Sequence, residues 1–552
     1  MLIVPTSRII LLKNPIEIDY ANELTFNSIE EQFNYFSNLP KLECENATYQ
    51  RKDMAIRFPT DPTLEGITFD DLIQYNYCMY QNDKWSDKWF YAFIKKVTFD
   101  NPGLSLIEIE TDVWQTWMFD ITFKNSFIER EHVNNDTIGL HTIPEGLETG
   151  DYVCNDITSL YSGGNTTYIC VATSEVPTEL GTNVYNRQYN GIYSGVSYVV
   201  FETPLAASNF IRALDGLGKA DAITSVFLIP VNLTGTLTFN TYDIHTTGDQ
   251  YITTQAAFPP YSTSFVDLGT VSSITSPTSL NGYIPKNGKV YCYPFNYFYV
   301  TNNSGMDIEY HYEDFINNTA SFKTIGAITP GCSIKCYPLN YKKLSDSNSM
   351  KSYNYGISAA KYPICSWSSD VYTNWLTQNG VNILGHTLDA KTAGIVKGVA
   401  QIGVGYGMAQ AGDFITGGAM MGNGIRNIYD TMQENYRHSL IPDSARGNTN
   451  SGDITFSAGR MDIPLYKMSI RREYAECIDN YFQMFGYKVN IVKIPNITGR
   501  RNWNFVKTIS CNIIGNIPQE DMQKIKEIFN SGVTLWHNPS TFLDYSQSNP
   551  IV

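Results

Sequence analysis

Charge is scarce in this chain, and scarcest in the sign that binds nucleic acid. Charged residues are 17% of the 552, and 39 lysines and arginines face 54 aspartates and glutamates, for a net charge of −15. Proteins that grip DNA or RNA neutralise phosphates with clustered cations. Tight nucleic-acid binding is therefore excluded as the main task, although a negative wall can guide a polyanion without holding it. Cysteine pairing is sparse too. Of ten cysteines, Cys332 and Cys336 fall close together, and no second pair completes a four-ligand zinc site. Buried free thiols in a reducing environment are expected instead. The opening stretch MLIVPTSRIILLKNPIEID lacks the basic lead, long apolar run and small-residue cleavage site of a secretory signal. It reads as a first strand.

Catalytic signatures are missing in the same way. The sequence holds no phosphate loop with its Lys-Ser/Thr, no HExxH and no GxSxG elbow. Gly403-Val-Gly405-Tyr-Gly407 lacks the spacing and acidic partner of a dinucleotide fingerprint. Histidines such as His132, His245 and His311 are isolated, which suits hydrogen-bonded core or surface residues better than bases. Glu108 and Glu110 alternate onto one strand face, where solvation explains them. No cofactor or metal is expected, and no enzymatic activity.

What is abundant is tyrosine, 38 of them, with frequent Asn, Thr, Ser and Gly. That mixture favours strands, turns and half-buried sheet faces. SIEEQFNYFSNLP places Ser28 three residues before Glu31, a capping box, and predicts a helix with Ile29, Phe33 and Phe36 on one face, ended by Pro40. KWFYAFIKKVTF and LSLIEIETD flank the turn Asp100-Asn101-Pro102-Gly103 and predict a hairpin. From about 150 to 340, short Val, Thr, Tyr and Phe runs are broken by turn residues, as in sandwiches or barrels. KVYCYPFNYFYV, TNNSG and MDIEYHYEDF read as a second hairpin. RNIYDTMQENYRHSL is weakly helical, and REYAECIDNYFQMFGYKVNIVKI reads as a helix followed by a strand. IPQEDMQKIKEIFNSG has Pro518 at a helix start, Met522, Ile525 and Phe529 at helical spacing, and Gly532 as the stop. The expected fold is mainly β with a few helices, in several domains, with related mixed modules at both ends of the chain.

One segment does not fit that picture. In KTAGIVKGVAQIGVGYGMAQAGDFITGGAMMGNGI, residues 391–425, ten of 35 residues are glycine, and Asp413 is the one charge between Gly398 and Ile425. A flexible linker would not carry Ile395, Val396, Val399, Ile402, Val404, Met408, Phe414, Ile415, Met420 and Met421. A helix in water would lose about 1 kcal/mol per glycine relative to alanine. A single membrane span needs about 20 apolar residues, and glycine adds little drive, so one copy would insert weakly. The composition fits a segment sheltered inside an assembly and released into a membrane, where copies pack through small residues. Asp413 has two readings: a group that keeps the segment soluble or titrates during insertion, or a tolerated polar residue.

Three stretches carry a family resemblance. Residues 90–133 contain strand, turn, strand, then Asp112-Val-Trp114-Gln-Thr-Trp117 and Ile128-Glu-Arg130. Residues 478–508 contain Tyr481-Phe482, Gly486-Tyr487 and Asn502-Trp-Asn-Phe-Val-Lys507, and residues 528–539 are IFNSGVTLWHNP. In this order they resemble the phi29-like podovirus tail knob, or distal tail tube, proteins. The resemblance implies a homohexameric tube with walls of tail-tube-like β-barrel modules, seated among other tail proteins on the collar side and at the tip. It implies that DNA passes without tight or specific binding. It also implies that a hydrophobic loop plugs the lumen and, once released, opens a channel in the host cytoplasmic membrane. On that basis residues 1–145 are an N-terminal tube-wall domain, 146–340 a β-rich middle or knob domain and 341–385 a connecting segment. Residues 386–450 are the membrane-active loop, and 451–552 a C-terminal wall domain packing with the N-terminal one. Trp114, Trp117, Tyr481 and Phe482 are expected as core packing. The alternatives are a receptor-binding or a wall-degrading tail component.

Overall fold

A computed structural model describes residues 7–47, 50–60, 66–82, 86–163, 167–181, 188–189, 192–193, 196–261, 266–328, 334–343, 353–359, 364–368 and 462–552. They form a mainly β structure with a few helices, in two compact units. The first unit holds residues 1–150, 283–291 and 472–552, and the second 151–282 and 292–471.

In the first unit, six antiparallel strands run in the order Lys41–Ala47, Ser7–Leu12, Tyr77–Asn82, Ser86–Asn101, Leu104–Thr111, Ile56–Pro59. The predicted hairpin is the pair Ser86–Asn101 and Leu104–Thr111. Period-two alternation divides the core. Ile9 and Leu11 join Phe58, Tyr80, Phe90 and Ile107, while Ile10 and Leu12 face Phe36, Tyr77, Tyr91, Trp503 and Trp536. A second sheet is built from both ends of the chain. Asn22–Leu24 lies parallel to Val533–Trp536, followed by Trp503–Ser510, Ser126–Glu131 and Tyr487–Lys493, all antiparallel.

The helices follow their sequence signals closely. Ile29–Ser37 is capped by Ser28, whose Oγ accepts from Glu31 N at 3.1 Å. The Glu31 carboxylate reaches one residue beyond the expected box, to Asn27 N at 2.9 Å. Phe36 and Gln32 are the buried positions, whereas Ile29 is 62% exposed, so the apolar face is narrower than predicted. Arg472–Phe485 buries Ala475, Ile478, Asp479, Phe482 and Gln483, a full i, i+3, i+4, i+7 stripe. It ends where Gly486, at φ +63°, passes so close to Glu131 that a Cβ would sit 2.1 Å from its carbonyl oxygen. Gln519–Ser531 begins after Pro518 and stops at Gly532.

Buried charge fixes the rest of this unit. Residues 283–291 form a strap held by Asp479. Its carboxylate accepts from Tyr283 Oη (2.7 Å), Lys286 N (2.8 Å), Asn287 N (3.0 Å) and Asn287 Nδ2 (2.8 Å). Asp136 accepts from Gly288 N at 2.9 Å and from Tyr487 Oη at 2.5 Å, and Glu145 pairs with both Lys289 and Arg130. A different acid pair lies beside the short helix Val113–Trp117. Asp112 caps it through Gln115 N at 3.0 Å and accepts from Tyr77 Oη at 2.7 Å. Glu23 Oε2 accepts from Gln115 Nε2 at 2.9 Å, and its Oε1 has no hydrogen-bond partner among the described residues. Burial, then the negative charge of Asp112, holds Glu23 well above the usual carboxylate range, and burial pushes Asp112 up to about 6.

In the second unit, three four-stranded sheets and a hairpin of six-residue strands carry the fold, with a shorter two-stranded pair, Gln188–Tyr189 and Ile192–Tyr193. Their orders are Tyr152–Ser162, Asp462–Ile470, Asn296–Thr301, Asp307–Tyr310; then Ser197–Phe201, Thr167–Thr173, Ile223–Pro230, Ile364–Ser368; then Val266–Ile274, Ala320–Gly326, Lys335–Pro338, Ile357–Ser358. The hairpin is Asn240–His245 with Tyr251–Ala256. The second predicted hairpin is present as Asn296–Thr301 with Asp307–Tyr310. Sequence reasoning missed the helix Pro204–Gly216, capped by Thr203, which buries Ala206, Ala207, Phe210, Ile211 and Leu214. Cys78, Cys170, Cys292, Cys336 and Cys511 are buried free thiols as expected, but Cys154 and Cys477 are exposed. Cys332 and the segment RNIYDTMQENYRHSL lie outside the described residues.

Asp479→Asn replaces one acceptor oxygen with an NH2 donor that faces other donors, so it costs about 3 kcal/mol. Hydrogen exchange of peptides spanning 283–291 rises while Ser7–Leu12 stays protected, and unchanged exchange would remove the strap's dependence on this carboxylate. Asp112 and Glu23 hold protons more tightly folded than unfolded. The Asp112 contribution is present below about pH 4 and lost as pH rises through about 6, and that of Glu23 is lost as pH rises above the usual carboxylate range. Asp112→Asn keeps the cap and gains on the order of 1–3 kcal/mol over wild type near pH 8, converging with it near pH 4. Parallel stability–pH curves from chemical denaturation would contradict that assignment.

Candidate functional site

The residues singled out for membrane activity, Ile395, Val396, Val399, Ile402, Val404, Met408, Phe414, Ile415, Met420 and Met421, lie outside the described residues, as does Asp413. Their frame within the second unit is described. The chain leaves through Ile364–Ser368, an edge strand paired antiparallel with Ile223–Pro230 at Leu228–Ile364, Val226–Trp367 and Ser225–Ser368. It returns as Asp462–Ile470, an interior strand with ladders to Tyr152–Ser162 and Asn296–Thr301 on its two sides. Ile463, Leu465 and Ile470 on the returning strand are fully buried. An interior strand has its backbone groups paired on both sides, so the return is held more firmly than the departure.

The first residue of the return is clamped by side chains. Asp462 Oδ1 accepts from Asn303 Nδ2 at 2.6 Å. Asn303 sits in the TNNSG turn at φ +56°, a conformation asparagine tolerates. Asn302 Oδ1 closes that turn by accepting from Ser304 N (2.9 Å) and Met306 N (3.1 Å), and Asn302 Nδ2 donates to Ser358 O at 2.9 Å. Further along, Lys467 lies 2.9 Å from Asp156, and its hydrogen bond holds that carboxyl below the usual range. The turn was legible in the sequence; nothing local signals its grip on a strand from so far along the chain.

The aromatic residues of the family-like stretches are packing groups of the first unit. Trp114 is buried, donates from Nε1 to Leu24 O at 3.0 Å and meets Phe529 edge-on at 5.6 Å. Trp117 is partly buried, donates to Asp521 Oδ2 at 2.8 Å and carries the Lys88 ammonium 4.0 Å over its ring. Phe482 is fully buried, and Tyr481 is partly buried under the Arg130 guanidinium at 4.8 Å.

Titratable groups take structural positions as well. His132 Nδ1 accepts from Phe505 N at 2.7 Å and Nε2 faces Gln483 O at 3.1 Å, which places the proton on Nε2. Burial, then the nearby Arg500 charge, lowers its pKa to about 3. The ring is neutral and committed at both nitrogens. His245 lies 3.3 Å from Asp249, and His311 stacks on Tyr293 at 4.0 Å. Glu110 pairs with Lys95 at 2.7 Å and Lys524 at 3.0 Å on a solvated face. A 240 Å³ cleft holds the Lys88–Asp120 ion pair, a 330 Å³ cleft holds Asp70, and a 630 Å³ cleft in the second unit has no ionisable lining residue. No nucleophile–base pair lines any of these three.

A family model described as the C-terminal domain of tail knob protein gp9 of Bacillus phage phi29 matches residues 260–550, and one described as the N-terminus of the caudoviral major tail protein matches 5–124. Tail knob protein gp9 of Bacillus phage B103 is 24% identical, covering 97% of this chain and 97% of its own. The gp9 of phage phi29 is 25% identical and covers 98% of each chain. Among solved structures, the bacteriophage C1 tail knob protein gp12 matches with a TM-score of 0.58 at 15% identity, over 99% of this chain and 100% of that one. That likeness concerns the fold. With more than half its length matched by the gp9 family model, the chain belongs to the phi29 gp9 tail knob family, the structural proteins of the virion tail.

Proposed function

We propose that the chain forms a homohexameric tube at the distal end of a short phage tail, through which the genome passes, and that residues 386–450 plug its lumen until release. The released 391–425 segments then enter the host cytoplasmic membrane, where several copies line a channel. The observation that supports this reading is the segment itself: ten apolar side chains and ten glycines, with Asp413 the one charge between Gly398 and Ile425. Apolar side chains of this number need shelter from water, and glycine lets a segment adopt different backbones before and after release.

In this reading 1–145 and 451–552 are tube wall, 146–340 is the knob and 341–385 connects the distal region. Other tail proteins contact the collar side and the tip. A subunit of net charge −15 suits passage of DNA, because like charge keeps the polyanion from adhering. The task assigned here is structural and needs no reacting group.

The test is dye leakage from phospholipid vesicles, with full-length protein compared with a variant lacking 391–425 whose ring assembly is verified by light scattering. Leakage lost while the ring persists is expected. Equal leakage from both proteins, or none from either, would reduce the segment to a passive plug.

A further inference from the structure

The second unit carries a cleft that the tail-tube reading does not use. It is an open cleft of about 630 Å³ lined by Thr270, Ser272, Ser273, Ile316, Asn317, Thr319, Ser321, Leu339 and Asn340. That volume lies in the ordinary range for small-molecule sites. We propose that this cleft binds a neutral carbohydrate, so that the protein contacts glycan independently of its role as a conduit.

Val266–Ile274 is an edge strand, and its register against Ala320–Gly326 slips between the pairs Val271–Phe322 and Ile274–Ala320. Two residues, Ser272 and Ser273, therefore stand opposite one, Ser321. Such a bulge re-aims side chains and recurs beside binding sites. Ser273 sits at φ +60°, and Asn317 across the cleft at φ +57°. Left-handed serine is uncommon and persists where surroundings enforce it.

The floor is fastened without using the mouth. Asn340 Nδ2 donates to Thr319 O at 2.7 Å, and its Oδ1 accepts from Ser321 N at 3.3 Å. Leu339 N donates to Ser321 O at 2.9 Å, and Ile316 N to Asn340 O at 3.1 Å. Thr319 Oγ1 donates to Asn317 O at 3.2 Å. The side chains of Thr270, Ser272, Ser273, Asn317 and Ser321 make no hydrogen bond among the described residues. Four hydroxyls and one amide thus face one space, each able to donate and accept.

Their chemistry selects the ligand class. No lining residue is cationic, so phosphate or carboxylate gains no partner, and none is anionic, so an amine or metal ion gains none. No aromatic ring is present to stack a nucleobase. A sugar matches what remains. Its hydroxyls exchange hydrogen bonds with the serines, Thr270 and Asn317, and its C–H face lies against Ile316 and Leu339.

The test uses the full-length protein on an array of neutral and anionic bacterial glycans, followed by titration calorimetry with the best neutral oligosaccharide. Ser272→Tyr fills the cleft from an exposed strand position. Asn317→Asp keeps a residue that tolerates left-handed backbone and removes the amide donor. Retention of neutral glycans, with affinity falling about tenfold or more in both variants at unchanged melting temperature, is expected. Retention of anionic glycans alone, binding of none, or equal binding by wild type and both variants would overturn the proposal. Vesicle leakage does not enter this readout, so the two readings stand or fall separately.

Discussion

The strand Ser126–Glu131 depends on partners from the far end of the chain. It is hydrogen-bonded to Tyr487–Lys493 on one side and Trp503–Ser510 on the other. Asn22–Leu24 extends the same sheet beside Val533–Trp536. Among the described residues, nothing between 132 and 471 supplies a strand to it. The sheet therefore cannot form until the chain has returned, and the closure cost of that excursion grows only as the logarithm of its length. Large changes in the middle of the chain are tolerated thermodynamically, while the two ends must match one another. Pairings of this sequence separation are slow to form. The compensation is a core in which Trp503 and Trp536 pack at 5.0 Å among residues of the N-terminal sheet.

Buried polar groups convert that closure into one arrangement. An apolar core accepts many registers, but a carboxylate such as Asp479 accepts only donors in the right places, and here they come from Tyr283, Lys286 and Asn287. His132 does the same between Phe505 and Gln483. Glu131 is fully buried, accepts from Asn496 N at 2.9 Å and pairs with Lys493, both from the C-terminal part. These groups cost desolvation and give specificity in return. No cation pairs with Glu23 or Asp112 among the described residues, so this pair holds protons more tightly instead.

Local signals were readable in the sequence, and long-range ones were not. The helix Arg472–Phe485 was legible because its buried stripe repeats at helical spacing, and both hairpins because turn residues separate β-type runs. The helix Pro204–Gly216 carried equal signals, Thr203 as cap, Pro204 at its first turn and Phe210, Ile211, Leu214 in register, but was obscured by the strand-rich runs around it. The parallel pairing of Asn22–Leu24 with Val533–Trp536 has no local trace at all. Neither does the Asp479 strap, whose donors lie about 190 residues upstream. The bulge at Ser272 and Ser273 is a property of register, which single-strand patterns do not encode. Composition made the 391–425 segment conspicuous, and the same composition leaves its conformation undetermined by sequence.

That indeterminacy bears on how such a segment can be used. Ten apolar side chains left in water forgo about 15–30 kcal/mol of burial, more than the 5–15 kcal/mol by which a whole domain is typically stable. A free segment would thus tend to find any apolar surface. The frame at its two ends limits where it can search, because both Ile364–Ser368 and Asp462–Ile470 are built into sheets. Glycine raises the entropy that ordering must overcome, so in the proposed assembly shelter would be held by burial rather than by backbone preference. On that proposal, a change of surroundings from protein lumen to lipid would exchange one apolar environment for another at small net cost. The proposed trigger would then need only to open the shelter, without supplying the energy of insertion.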